Sequence, residues 1–202
     1  MKSMRRFAAA LAAFALTVTP VLAQDAPQQQ PAKRQGPQIL KTFGGWDVRC
    51  FPVSTPAPCD VWEAIAFKQG GQLAVSVSVV YVPSQDRHLM QMIVPLGVDF
   101  AKGAKLIAGS YTSELLPFHH CDRVGCYFGV GNANAVVDAI RSQSSLKVRV
   151  AQYKGKSIDL NVPVKGFSEA HAMMVEQAKQ KAGKPSAAAP EAPAAPDNAS
   201  NP

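Results

Sequence analysis

The strongest regularity in the chain is an alternation of period two. From Leu73 the odd positions Leu73, Val75, Val77, Val79 and Tyr81 are apolar, and Ala74, Ser76 and Ser78 between them are small or polar. Successive side chains of an extended chain point to opposite faces, so this segment predicts a strand with one face in a core. Leu146, Val148 and Val150 alternate with Lys147 and Arg149 in the same way. Ile158, Leu160 and Val162 alternate with Asp159 and Asn161, and Tyr153-Lys154-Gly155-Lys156 reads as the hairpin turn joining the two segments. Weaker strand candidates lie at 46–50, 61–67, 89–94, 105–107, 111–116 and 126–130. Gly70-Gly71, Pro83, Pro95 with Gly97, Gly103 and Pro117 punctuate the gaps. Eight or nine short strands at roughly ten-residue spacing predict an all-β sandwich.

Helix is the minority. Asn134 is positioned to cap a short segment through Ala135, Val136, Val137 and Ile140. A clearer helix is expected from Ser168 as N-cap, with Glu169 suiting the positive end of the helix dipole. It runs through Ala170, Met173, Met174 and Ala178 to about Lys181, with Gly183 ending it and the Met pair packing on the sheets.

The ends of the chain narrow the domain. Lys2, Arg5 and Arg6 precede an apolar stretch from Phe7 to Val18, then Pro20 and Val21-Leu22-Ala23, the order of a cleaved secretion signal over 1–23. The apolar run is short of the roughly 20 residues that span a bilayer. Gln24 rather than Cys follows the expected cut, so no thiol is available for a lipid anchor, and no integral membrane span remains after cleavage. Residues 24–38, rich in Gln and Pro, and 183–202, rich in Ala and Pro, cannot bury enough apolar surface to offset backbone ordering and are expected to be disordered. The folded domain is then 39–182, enough for one core. The 202-residue chain carries 21 basic and 14 acidic residues; removing the three basic residues of the signal leaves 18 against 14, a net +4. A charge that mild indicates no nucleic-acid partner.

An oxidising destination decides how the four cysteines are read. Cys50, Cys59, Cys121 and Cys126 admit three connectivities. Local pairs Cys50–Cys59 and Cys121–Cys126 are favoured, because Pro52, Pro56 and Pro58 bend the first loop and Gly125 permits a tight turn in the second. The competing reading gathers His119, His120, Cys121 and Cys126 around zinc. Its spacing matches no common zinc pattern, and adjacent histidines in extended chain point to opposite faces, so no metal site is assigned. No cofactor is indicated either. Gly129-Val130-Gly131-Asn132-Ala133-Asn134 lacks the third glycine of a dinucleotide loop and reads as a strand-to-helix turn. Asp86-Arg87-His88 has no serine or second carboxylate placed beside it by the sequence, and no nucleophile elbow or metalloprotease motif occurs. The chain is read as no enzyme.

One charge run stands out. Arg141, Lys147, Arg149, Lys154, Lys156 and Lys165 face Asp159 alone between 141 and 165. This is either a solvated strand face with lysines that deter edge pairing, or a patch for an anionic partner such as an envelope phosphate or an acidic host surface.

Several motifs then converge. Phe43-Gly44-Gly45-Trp46-Asp47-Val48-Arg49-Cys50 resembles the F-G-x-W-x-x-x-C opening of the invasion-associated locus B family. Val94-Pro95-Leu96-Gly97-Val98 is similar to its P-x-G segment, and Lys102-Gly103-Ala104 to the turn that follows. Pro117-Phe118-His119-His120-Cys121 with Gly125-Cys126 resembles P-F-x-x-C-x-x-x-G-C, and Gly166-Phe167-Ser168-Glu169-Ala170 the closing G-F-x-x-A. The resemblance spans 43–170 and implies an immunoglobulin-like β-sandwich with a short C-terminal helix, in the periplasm or outer envelope of alphaproteobacteria. It implies a link of some members to entry into host cells, notably red blood cells, and it supplies no catalytic residue, cofactor or defined ligand. The expectation is an exported envelope protein acting through surface interactions with an envelope or host-surface component, the alternative being a structural or chaperone-like periplasmic factor.

Overall fold

In the computed structural model, which describes residues 36–52 and 54–182, each strongly alternating segment lies in a sheet. In chain order the strands are β1 (Gln38–Phe43), β2 (Trp46–Cys50), β3 (Cys59–Ala66), β4 (Leu73–Val82), β5 (Arg87–Val94), β6 (Ala104–Ala108), β7 (Tyr111–Thr112), β8 (Phe118–Cys121), β9 (Cys126–Val130), β10 (Ser145–Ala151) and β11 (Ser157–Pro163). Helix α1 (Asn134–Arg141) joins β9 to β10, and α2 (Phe167–Ala182) follows β11. Seven strands form one sheet in the order β1-β2-β3-β4-β5-β9-β8, and four form a second in the order β11-β10-β6-β7. The all-β, sandwich-like arrangement expected from the alternation is therefore present, with a helix at its C-terminal end. The signal read at 1–23, residues 24–35 and the tail 183–202 lie outside the described residues. β1 begins at Gln38, the last residue of the segment read as linker.

The registers show how the alternation builds the core. Val48, Val61, Val79, Met90 and Val130 line up across five neighbouring strands of the large sheet, all on the inward face. Leu106, Val148 and Leu160 form the matching inward row of the small sheet. Both rows belong to one apolar core, to which α1 adds Val136, Val137 and Ile140, and α2 adds Phe167, Ala170, Met174 and Ala178.

Three local expectations are corrected, and two strands are present that the alternation does not predict. Strands β1 and β8 carry no alternation: β1 is an exposed edge, and in β8 only Phe118 is buried because a bulge falls between Phe118 and His120. The candidate at 111–116 pairs as strand only at Tyr111–Thr112, after which Leu116 returns to bridge Ala104. Ser168 is not the cap of α2: it lies inside the first turn, and Gly166 at φ 88° turns the chain into the helix. Asn134 does not cap α1; its side-chain oxygen instead accepts the backbone N–H of His88 at 2.8 Å, docking the helix on β5.

The two ends of the domain are locked together by the Gly-Gly-Trp turn between β1 and β2. Trp46 is fully buried, and its indole N–H donates to the carbonyl of Pro163 at 3.1 Å, 117 residues away in sequence. Its ring meets Phe167 edge-on with centroids 4.9 Å apart, a geometry that adds about 0.5–1.5 kcal/mol to the burial itself. From there a file of rings runs beneath α2: Phe167 to His171 at 5.8 Å, His171 to His88 at 4.8 Å, and His88 to Tyr81 at 5.1 Å. Gly44 and Gly166 permit the lock. A Cβ on Gly44 would collide with the Lys165 carbonyl, and one on Gly166 with the Phe43 carbonyl.

Gly166 and Gly97 both have positive φ, but only Gly166 is crowded; Gly97 has open space around it. Gly97→Ala should therefore cost only the left-handed backbone penalty of roughly 1–2 kcal/mol. Gly166→Ala adds the clash with Phe43 and should cost clearly more. Equal midpoints for the two variants in urea denaturation would contradict this reading of the lock.

Candidate functional site

The sequence offers a basic run, and the structure divides it. Lys147 and Arg149 are both exposed on the outward face of β10, as the alternation requires. Across the sheet Arg149 faces Asp159 of β11 on one side and Lys105 of β6 on the other. Arg149 gives its guanidinium to Asp159 in a two-pronged bond, 2.7 and 2.9 Å. The pair holds the Asp159 carboxyl below its ordinary range and the Arg149 guanidinium above its own, with Lys147 also lowering Asp159. Among the described residues the face therefore presents Lys105 and Lys147 as its unpaired cations. Lys105 was not counted in the run, because the pairing of β6 with β10 joins residues some forty positions apart and leaves no mark on local sequence.

The other members do not join this face. Lys154 and Lys156 sit in the turn between β10 and β11, where Lys154 rather than Gly155 takes the left-handed position at φ 54°. Arg141 ends α1 and lies 3.9 Å from Asp138 of its own helix, and Lys165 lies in the connection after β11. Both lie beyond the opposite end of the hairpin from Lys154 and Lys156. A seven-residue strand of about 3.3 Å per residue separates the two groups, more than 20 Å.

The cysteines pair locally, Cys50 with Cys59 and Cys121 with Cys126, and no described cysteine is free. The first bridge is buried at the paired ends of β2 and β3. The second closes the β8–β9 turn, with Cys121 exposed and Cys126 buried. His119 and His120 do not point to opposite faces. The bulge in β8 puts His120 opposite Tyr127, on which it stacks at 4.4 Å, and brings His119 beside Gly129 on the same outward side. Among the described residues no three His, Cys, Asp or Glu side chains gather as a metal site.

Sequence reasoning missed the buried polar groups. Asp60 is 1% exposed, accepts two bonds from Arg49 at 3.0 and 2.5 Å, and accepts the Ser78 hydroxyl at 2.7 Å. Arg49 in turn lies over the Trp62 ring at 4.4 Å. Glu63 occupies an inward position opposite Val77, and its carboxylate fills the space a Cβ on Gly45 would need. One of its oxygens has no partner among the described residues, and burial with Asp47 nearby pushes its pKa up to about 7. His88 is half-buried in β5: its Nε2 lies 2.8 Å from His171 Nε2, and its Nδ1 lies 2.8 Å from the Asn134 side-chain oxygen. That oxygen accepts only, so Nδ1 of His88 carries the proton and His171 donates to His88. Burial, then His88 and Arg141, lower His171 to about 4. Burial thus favours the neutral form of both groups. The signal for each was in the sequence, a Glu at an apolar position of its strand and a His one turn after Phe167, but the partners come from distant elements.

A family model described as the invasion associated locus B (IalB) protein matches residues 46–175. The crystal structure of invasion associated protein B from Bartonella henselae is similar in fold, with a TM-score of 0.60 at 20% identity over 69% of this chain and 97% of that one. No curated protein matches the chain.

Two measurements follow from this chemistry. Glu63 loses its proton near 4.5 when unfolded and near 7 when folded, so the stability it confers is complete below 4.5 and lost as pH rises through 7. For His171 the stability is complete above 6.5 and lost as pH falls through 4. The two slopes oppose between pH 4.5 and 6.5. Glu63→Gln should leave stability that rises with pH across that window, and His171→Gln stability that falls. Parallel profiles for both variants and the wild type would exclude the assignment. Separately, mild reductant should open Cys121–Cys126 before Cys50–Cys59, because only the former exposes a sulfur-bearing residue to attack. Loss of the buried bridge should cost about 2–3 kcal/mol. Mass spectrometry after timed thiol trapping reads the order, and opening of the buried bridge first would contradict it.

Proposed function

The chain belongs to the invasion associated locus B family, and from that premise we propose that it is an exported, non-enzymatic protein that works by surface contact with an anionic component of the cell envelope or of a host surface. Two disulfides fit an oxidising compartment, and no helix among the described residues is long and apolar enough to cross a membrane. The observation that carries the reading is the outward face of the four-stranded sheet. Lys105, Lys147 and Arg149 share it, and Asp159, the acid on the same rows, is already taken by Arg149. A rigid sheet holds the two unpaired lysines at fixed spacing, which suits contact with a multivalent polyanion more than capture of one small ion. A role in host-cell invasion or adhesion belongs to this same reading, with the face as the contact.

The test is retention on immobilised lipopolysaccharide and on a sulfated glycan, followed as salt is raised. Retention should weaken steeply with salt, since exposed charges are screened beyond about 10 Å at 0.1 M. Lys105→Glu with Lys147→Glu should weaken it further, while the stability of this double variant stays near wild type because both side chains are exposed. Salt-independent retention, or retention unchanged in the double variant, would remove the proposal. In that event a detergent-sensitive deletion strain would support a structural role in the envelope.

A further inference from the structure

At the end of the domain away from the ring file, three turns come together: 67–72 between β3 and β4, 95–98 after β5, and 152–156 between β10 and β11. Phe67, Leu96, Gln152 and Ile158 line one cleft of about 230 Å³ there. Tyr153 is tied to the same place, its backbone N–H donating to the Gly97 carbonyl at 2.8 Å. Three large apolar side chains stand out from this tip, Phe67 41%, Leu96 57% and Tyr153 65% exposed. The charges among them are all of one sign. The three turns hold Lys68, Lys154 and Lys156 and no acidic residue. The nearest acids along the chain are Glu63, which is buried, and Asp99 and Asp159, which are already engaged by Lys102 and Arg149.

We propose that this tip docks on the surface of a bilayer containing anionic phospholipid. Apolar side chains ringed by lysines match the interface of such a membrane: the apolar groups enter the headgroup layer, and the ammonium groups stay at the level of the phosphates. Tyrosine suits that boundary, with an apolar ring and a polar tip. The tip lies on different side chains from the sheet face that carries the functional reading, and goes beyond it.

The experiment is co-sedimentation of residues 24–202, which contain every described residue, with phosphatidylcholine vesicles with and without phosphatidylglycerol. Partitioning is expected only with phosphatidylglycerol. Each lysine near such a surface contributes about fivefold, so Lys154→Glu with Lys156→Glu should reduce partitioning at least about 25-fold. Leu96→Ser with Tyr153→Ser should reduce it about tenfold or more, and unchanged thermal midpoints will show that the fold is kept. Lys105→Glu with Lys147→Glu should stay within about threefold of wild type. Absence of partitioning, or tip variants that partition like wild type, overturns the tip. Loss in the sheet-face variant alone also overturns the tip and leaves the functional reading standing. Partitioning through the tip in a protein that fails to bind lipopolysaccharide or sulfated glycan sinks only the functional reading.

Discussion

The contact between Trp46 and the segment from Pro163 to Phe167 holds the rest of the domain in place. β1 and β2 form the first described hairpin and α2 the last described element, and neither has a complete set of neighbours without the other. A buried indole satisfies its one donor on the Pro163 carbonyl, and its ring supplies a wall for Phe167. Two glycines allow the backbones to approach closely enough for that contact to form. With α2 fixed at its start, Met174 and Ala178 are delivered to the same core that the two sheets fill.

This arrangement sets apart what the domain hides from what it offers. The interior favours the neutral forms of Glu63 and His171, one protonated and one not, and surrounds the Asp60 carboxylate with Arg49 and Ser78. The exterior has two features of different character. One is a cationic sheet face on which Arg149 is already paired with Asp159; the other is a loop tip that mixes apolar groups with lysines. Both sit on a rigid frame, so their spacing is set by strand register and by the turn at Lys154.

Much of the fold was legible because alternation is a local signal. Leu73 to Tyr81, Leu146 to Val150 and Ile158 to Val162 declare a buried face within a few residues of chain. β1 and β8 were not legible, since an edge strand with little buried surface has no reason to alternate, and a bulge breaks the period where it falls. Ser168 and Asn134 have the chemistry of caps, yet tertiary contacts use them otherwise, Asn134 on β5 and Ser168 near the Arg141 carbonyl. Of the cationic run, only Lys147 and Arg149 shared a face as the period implied. Lys105 and the pairing of Arg149 with Asp159 depended on which strands become neighbours, and that is a property of the whole chain.

The two disulfides have a consequence for how the protein is made. Each joins a cysteine to the next one along the chain, at separations of 9 and 5 residues. An oxidase that bonds thiols in the order in which they emerge would reach the native pattern directly, with no wrong pairs to reshuffle. Maturation of this domain therefore calls for a donor of oxidising equivalents and places no demand on an isomerase.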